Sequence, residues 1–124
     1  MEKTNEGGWH SQDDLHEDDH FATLKSEIIN LSQEVMNHLA VEDHLIPEIS
    51  GLWAVVNGPG STNKLHTHPF NYLSGVFYLQ VPKDSGPLVF WILALKVKFF
   101  FPLKNLKKAR ISVTVFHGHP SLMT

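Results

Sequence analysis

The chain has 124 residues, 42% of them hydrophobic and 19% charged, which is enough for one domain around one core. A formal net charge of −3 offers no basic surface for nucleic acid or an anionic membrane, and the absence of cysteine excludes disulfides and thiolate metal sites. The longest apolar run, residues 87–101, is interrupted by Lys96 and Lys98 and is too short to span a bilayer, and the polar start Met1 to Gly8 does not read as a signal peptide, so a reducing, cytoplasmic setting is expected.

Residues 1–20 read as a loose acidic lead-in carrying Asp13, Asp14, Glu17, Asp18 and Asp19, with Trp9 as an apolar anchor. Acids placed just before a helix favour the positive end of its dipole. Phe21, Leu24, Ile28, Leu31, Val35 and Leu39 then recur at steps of three and four. This periodicity predicts an amphipathic helix over 21–40 that lays one apolar stripe on a sheet. From there to residue 124 the chain reads as a single domain.

After Leu45 the texture changes to short β-like runs. Residues 52–57 predict a strand, closed by the turn signal Gly58-Pro-Gly-Ser-Thr-Asn63. Residues 73–81, 88–95, 97–101 and 109–116 predict four more, with a turn at 82–86. Several short strands after a single helix predict a mainly β protein with an N-terminal helix, built as a sandwich or barrel rather than a parallel sheet.

Nine histidines in so short a chain point to metal or proton chemistry only where some converge. His66 and His68 stand two apart, after a turn and before a strand. In an extended segment that spacing puts both imidazoles on one face, ready to ligate iron, zinc, copper or manganese, and Pro69 stiffens the exit. Ordinary hydrogen-bonded histidines remain the alternative reading of such a pair. His10, His16 and His20 lie among the acids of the lead-in, and His38 and His44 flank the helix end, where a partly charged imidazole favours the dipole.

Asn63-Lys-Leu-His-Thr-His-Pro69, Leu73-Ser-Gly-Val-Phe-Tyr-Leu79 and Pro82-Lys-Asp-Ser-Gly-Pro-Leu-Val-Phe90 together resemble a family of iron(II)/2-oxoglutarate-dependent oxygenases found in marine bacteria and their phages. Gly8-Trp-His-Ser-Gln-Asp-Asp-Leu15, the helix and Trp53-Ala-Val-Val-Asn57 extend the resemblance over residues 7–90. It implies a double-stranded β-helix, or jelly-roll, that holds Fe(II) by a His-x-acid…His triad. It further implies 2-oxoglutarate as cosubstrate, chelating the metal at one end and pairing with a late arginine at the other. Three protein ligands on one face leave open positions for cosubstrate and dioxygen.

Residue by residue, His66 matches the first ligand. His68 stands where most of the superfamily has an acid, and a neutral donor there leaves the metal with more net positive charge. Arg110 matches the arginine that forks onto the cosubstrate carboxylate. Tyr78 offers a hydroxyl contact if its strand keeps parity, with plain core packing as the alternative. Asn57, at the mouth of the site, suits a contact to substrate or cosubstrate, or a cap on the adjacent turn. The chain departs from the family between Phe101-Pro102 and Arg110, where the distal histidine is missing. His117 or His119 would have to substitute, but each lies an odd number of residues from Arg110, so on a regular strand they face the other way.

The leading expectation is therefore an Fe(II)/2-oxoglutarate dioxygenase that hydroxylates a small or otherwise unidentified substrate, with no nucleic acid or membrane partner. The alternative is a catalytically impaired or shortened jelly-roll remnant that binds metal weakly or not at all. A cupin-like isomerase or sugar binder is a third option, since the fold hosts many activities.

Overall fold

The computed structural model describes residues 4–39, 45–64, 66–68, 70–83, 85 and 108–118. The strands expected at 88–95 and 97–101 lie outside the described residues. Within them the order is β1 (Asn5–Glu6), β2 (Trp9–His10), two single 3-10 turns (Leu15–Glu17 and Asp19–Phe21), α1 (Ala22–His38), β3 (Ile46–Asn57), β4 (Thr62–Asn63), β5 (Leu73–Gln80) and β6 (Lys108–Gly118). Two short strands thus stand inside the segment expected to be a loose lead-in. No helix among the described residues is long and apolar enough to cross a membrane.

The acids before the helix act through one residue. Asp18 Oδ1 accepts the His20 backbone N–H at 2.9 Å and the His20 Nδ1–H at 2.7 Å, capping the 3-10 turn that leads into α1. Those bonds hold the Asp18 carboxyl below its usual range, the backbone donor contributing most.

α1 has 17 residues, close to the expected span. The first half of the predicted stripe packs on the sheet and the second half does not. Phe21, Leu24, Ile28 and Ile29 pack on the sheet, and the buried line continues through Ser32 and Met36. Leu31, Val35 and Leu39 are exposed, Leu31 to 61%. At 100° per residue the two lines are neighbours on one helix, and contact with the sheet selects between them. Ser32 is tolerated inside because its hydroxyl donates to the Ile28 carbonyl at 2.7 Å.

The four-stranded sheet runs β2-β3-β6-β5, and a separate two-stranded sheet pairs β1 with β4. β2 is antiparallel to β3, but β6 is parallel to both β3 and β5. The sheet is therefore mixed, neither wholly parallel nor wholly antiparallel. β3 and β5 run the same way, so residues 58–72 must return the chain across the sheet, and they are long enough to do so. β6 is buried on both faces from Ile111 to Val115, as a central parallel strand should be.

One face of this sheet carries Ile49, Leu52, Ile111, Val113 and Val115 against α1. The other carries Trp53 and Val55, with Val76 packed on them. Leu52 is wholly buried in the helix-side core. Leu52→Ala should cost about 2–5 kcal/mol of unfolding free energy, whereas Leu31→Ala on the exposed ridge should stay within about 0.5 kcal/mol. Urea unfolding followed by circular dichroism checks both.

Candidate metal site

The histidine pair lies on the face of the sheet opposite the helix. Its floor is Trp53, 7% exposed, on the middle of β3. A Cβ at Gly51 would stand 3.1 Å from Trp53 Cζ3, so the bare backbone there is what lets the indole fold back along the strand. Ser50 is extruded at a register shift between Ile49 and Gly51, and its hydroxyl donates to the Ile111 carbonyl at 3.1 Å and to Asn71 Oδ1.

The returning segment lies over this floor. His68 stacks on Trp53, with ring centroids 5.7 Å apart and planes inclined by 23°. His66 meets His68 edge to face at 4.8 Å, and the two Nε2 atoms are 3.1 Å apart. The residues are not in a strand, so it is the stack and the local hydrogen bonds, rather than strand alternation, that bring the pair together. His66 Nδ1–H donates to the Lys64 carbonyl at 2.7 Å, which leaves its Nε2 with the lone pair. His68 is half-buried. Burial pushes its imidazole below the ordinary histidine range, and the neighbouring His66 pushes the same way.

This donor pair passes a simple test for a metal seat. Two nitrogens each about 2.1 Å from one ion, at a right angle, stand about 3 Å apart, close to the separation observed. His66 has the tautomer a ligand needs, with its other nitrogen oriented by a carbonyl. His68 is biased toward the neutral form, and its Nε2–H donates to His66 Nε2 across the 3.1 Å contact. A metal would have to displace that proton, while the buried Nδ1 has no hydrogen-bond partner among the described residues. Among the described residues no group of three or more His, Cys, Asp or Glu side chains is placed to hold an ion. The pair therefore fits two adjacent positions of a metal and leaves the third protein ligand unassigned.

Arg110 lies on the same face. Arg110, Ser112 and Thr114 alternate along β6, and Thr114 is the register partner of both Trp53 and Val76. The Arg110 carbonyl accepts the Tyr72 N–H at 2.8 Å, and the His68 carbonyl accepts the Asn71 N–H at 3.4 Å, so a single turn links the two. Phe70 in that turn has a φ of 66°, a left-handed conformation more usual for glycine. The Arg110 side chain is exposed. Tyr78, two residues beyond Val76, is on this face too, and partial burial pushes its hydroxyl pKa up. Asn57 is 2% exposed, and its Oδ1 accepts Asn5 Nδ2–H at 2.7 Å. His117 pairs in register with Val56; its side chain, and all of His119, lie outside the described residues.

Two participants were not singled out from the sequence as site residues. In the sequence Trp53 and His10 stand only within longer strings, a strand and an acidic lead-in that also carry the family resemblance, with nothing that marks either as a site residue. β2 places His10 beside Val55, where it stacks on Trp53 at 6.1 Å with planes 11° apart. The apolar Trp9 next to it, followed by polar Ser11, was the available signal for a short strand there.

The depressed His68 pKa has a sign that can be checked. Below the ordinary histidine value of about 6.5, the unfolded chain takes up a proton that folded His68 refuses, so acid favours unfolding. In chelator-treated protein this contribution to stability is present above that pH and is lost as pH falls through the lowered value. His68→Gln should flatten the stability–pH curve below it; thermal unfolding in a pH series would show parallel curves if the argument is wrong.

With this geometry in hand, comparison with known proteins gives one match. The family model described as "Putative 2OG-Fe(II) oxygenase" matches residues 51–121, more than half of the 124-residue chain. Curated proteins and solved structures give no match. The matched stretch takes in the indole floor, the histidine turn, β5 and β6. The chain belongs to this 2-oxoglutarate/Fe(II) oxygenase family.

Proposed function

We propose that the protein is an Fe(II)/2-oxoglutarate-dependent dioxygenase in which His66 and His68 hold the metal and Arg110 binds the far carboxylate of 2-oxoglutarate. The observation that carries the reading is the 3.1 Å convergence of the two Nε2 atoms on the sheet face that also bears Arg110. Family membership supports the cofactor pair and the jelly-roll expectation. When bound, Fe(II) supplies the redox chemistry by which dioxygen oxidises 2-oxoglutarate to succinate and carbon dioxide and a C–H bond is hydroxylated.

The chain's own residues orient and shield. The Lys64 carbonyl fixes the His66 tautomer, and Trp53 sets the plane of His68 and keeps water from its buried side. Arg110, a planar guanidinium exposed on the same face, is suited to a bidentate carboxylate. Tyr78 brings a hydroxyl to that face. Succinate formation from 2-oxoglutarate without added substrate tests the proposal. His66→Ala should abolish it, and Arg110→Leu should raise the KM for 2-oxoglutarate about 10–100-fold, the loss expected of a charge-assisted pair.

A second reading, a remnant that binds metal but does no redox chemistry, is favoured by the lack of a third ligand among the described residues. Divalent metal would then raise the melting temperature while 2-oxoglutarate changed nothing further.

A further inference from the structure

Residues outside the family match build the metal turn from the other end of the chain. The match begins at residue 51, yet β1 is paired with β4, Asn5 opposite Asn63 and Glu6 opposite Thr62. The Thr4 carbonyl accepts the Lys64 N–H at 2.9 Å, and Glu6 Oε1 lies 3.0 Å from Lys64 Nζ. Lys64 is the residue whose carbonyl takes the His66 Nδ1–H. A short strand near the N-terminus is thus two hydrogen bonds from the first ligand.

Asn5 is the centre of this arrangement. Its Nδ2 donates to Asn57 Oδ1 at 2.7 Å and to Asn63 Oδ1 at 3.1 Å, joining the end of β3 to the start of the histidine turn. Asn57 and Asn63 are 2% and 7% exposed. Buried carboxamides are costly unless paired. With Asn5 Oδ1, Asn57 Nδ2 and Asn63 Nδ2 buried without partners among the described residues, the two bonds from Asn5 are what joins this polar cluster. The chain is shaped to reach it: a Cβ at Gly8 would fall 2.0 Å from Asn57 Oδ1 and 2.8 Å from Asn5 Oδ1. No side chain fits between strand and cluster.

We infer that Asn5 is a positioning residue for the metal seat, its carboxamide clamping the histidine turn to the end of β3 so that His66 and His68 stay convergent. This rests on the reading of that pair as metal ligands. Asn57 then serves as the sheet-side anchor of the clamp. The physical argument is that residues 66–68 have no strand or helix ladder of their own, so their geometry depends on what holds the flanking backbone. Outer contacts of this kind typically change metal affinity by about 10–100-fold.

The experiment is Co(II) titration of the full chain, followed by absorption, together with 15N NMR of the metal-free histidine rings. Asn5→Ala should weaken Co(II) binding about tenfold and erase the preference of His66 for the Nδ1–H tautomer. Ile29→Ala, a stability control packed on the helix side of the sheet, should lower the melting temperature yet leave both readouts within about twofold and unchanged, respectively. Asn63→Ala carries the same test should Asn5→Ala fail to fold, and where both fold their effects should be less than additive in the double variant. Unaltered Co(II) affinity and tautomer in Asn5→Ala, with binding lost in His66→Ala, would overturn the inference and spare the metal seat. Co(II) binding that survives His66→Ala would overturn the seat itself.

Discussion

The parallel alignment of β3 and β5 on either side of β6 is the constraint from which the rest of the site follows. A chain that leaves the end of one strand and begins another in the same direction must travel back across the sheet. α1 already covers one face, so the return by residues 58–72 takes the other. There it meets Trp53, a broad apolar surface on which an imidazole can stack without losing much hydrogen bonding. The histidine pair is therefore placed by topology first and by its own sequence second.

An irregular segment laid over a sheet has no ladder of its own to satisfy its polar groups, and here the ties come from scattered places. Ser50, extruded from β3, reaches Asn71 on the far side of the histidines. Thr4 and Asn5 hold the near side. Each such bond contributes only about 1 kcal/mol net, so no one of them fixes the turn. Together they restrict it to a narrow set of conformations, which a metal requires and which a flexible loop of the same composition would lack.

Electrostatically the proposed site combines two imidazoles with one exposed cation. His68 is held toward neutrality by burial and by its neighbour, while the Lys64 carbonyl holds a proton on His66 Nδ1. A metal bound there would keep more of its positive charge than one bound by a carboxylate. Arg110 is a positive group on the same face, and under the proposed function it would face an anionic cosubstrate.

The sequence by itself determined the local elements and the chemistry of single residues. The three-and-four spacing from Phe21 marked α1, the β-branched and aromatic runs marked β5 and β6, and the two-residue spacing marked His66 and His68, because each of these signals is complete within a few residues. Arg110 entered only through the family resemblance, as the match to a late arginine on a strand. Tertiary structure alone decided which ridge of α1 is buried, that β6 runs parallel between β3 and β5, and that Trp53, His10 and Asn5 gather around the histidine turn. Those outcomes rest on pairings between residues some 50 positions apart, such as Asn5 with Asn57 and Asn63. Periodicity carries no information about partners at that separation, because it records which side of an element is apolar and not what the element is set against.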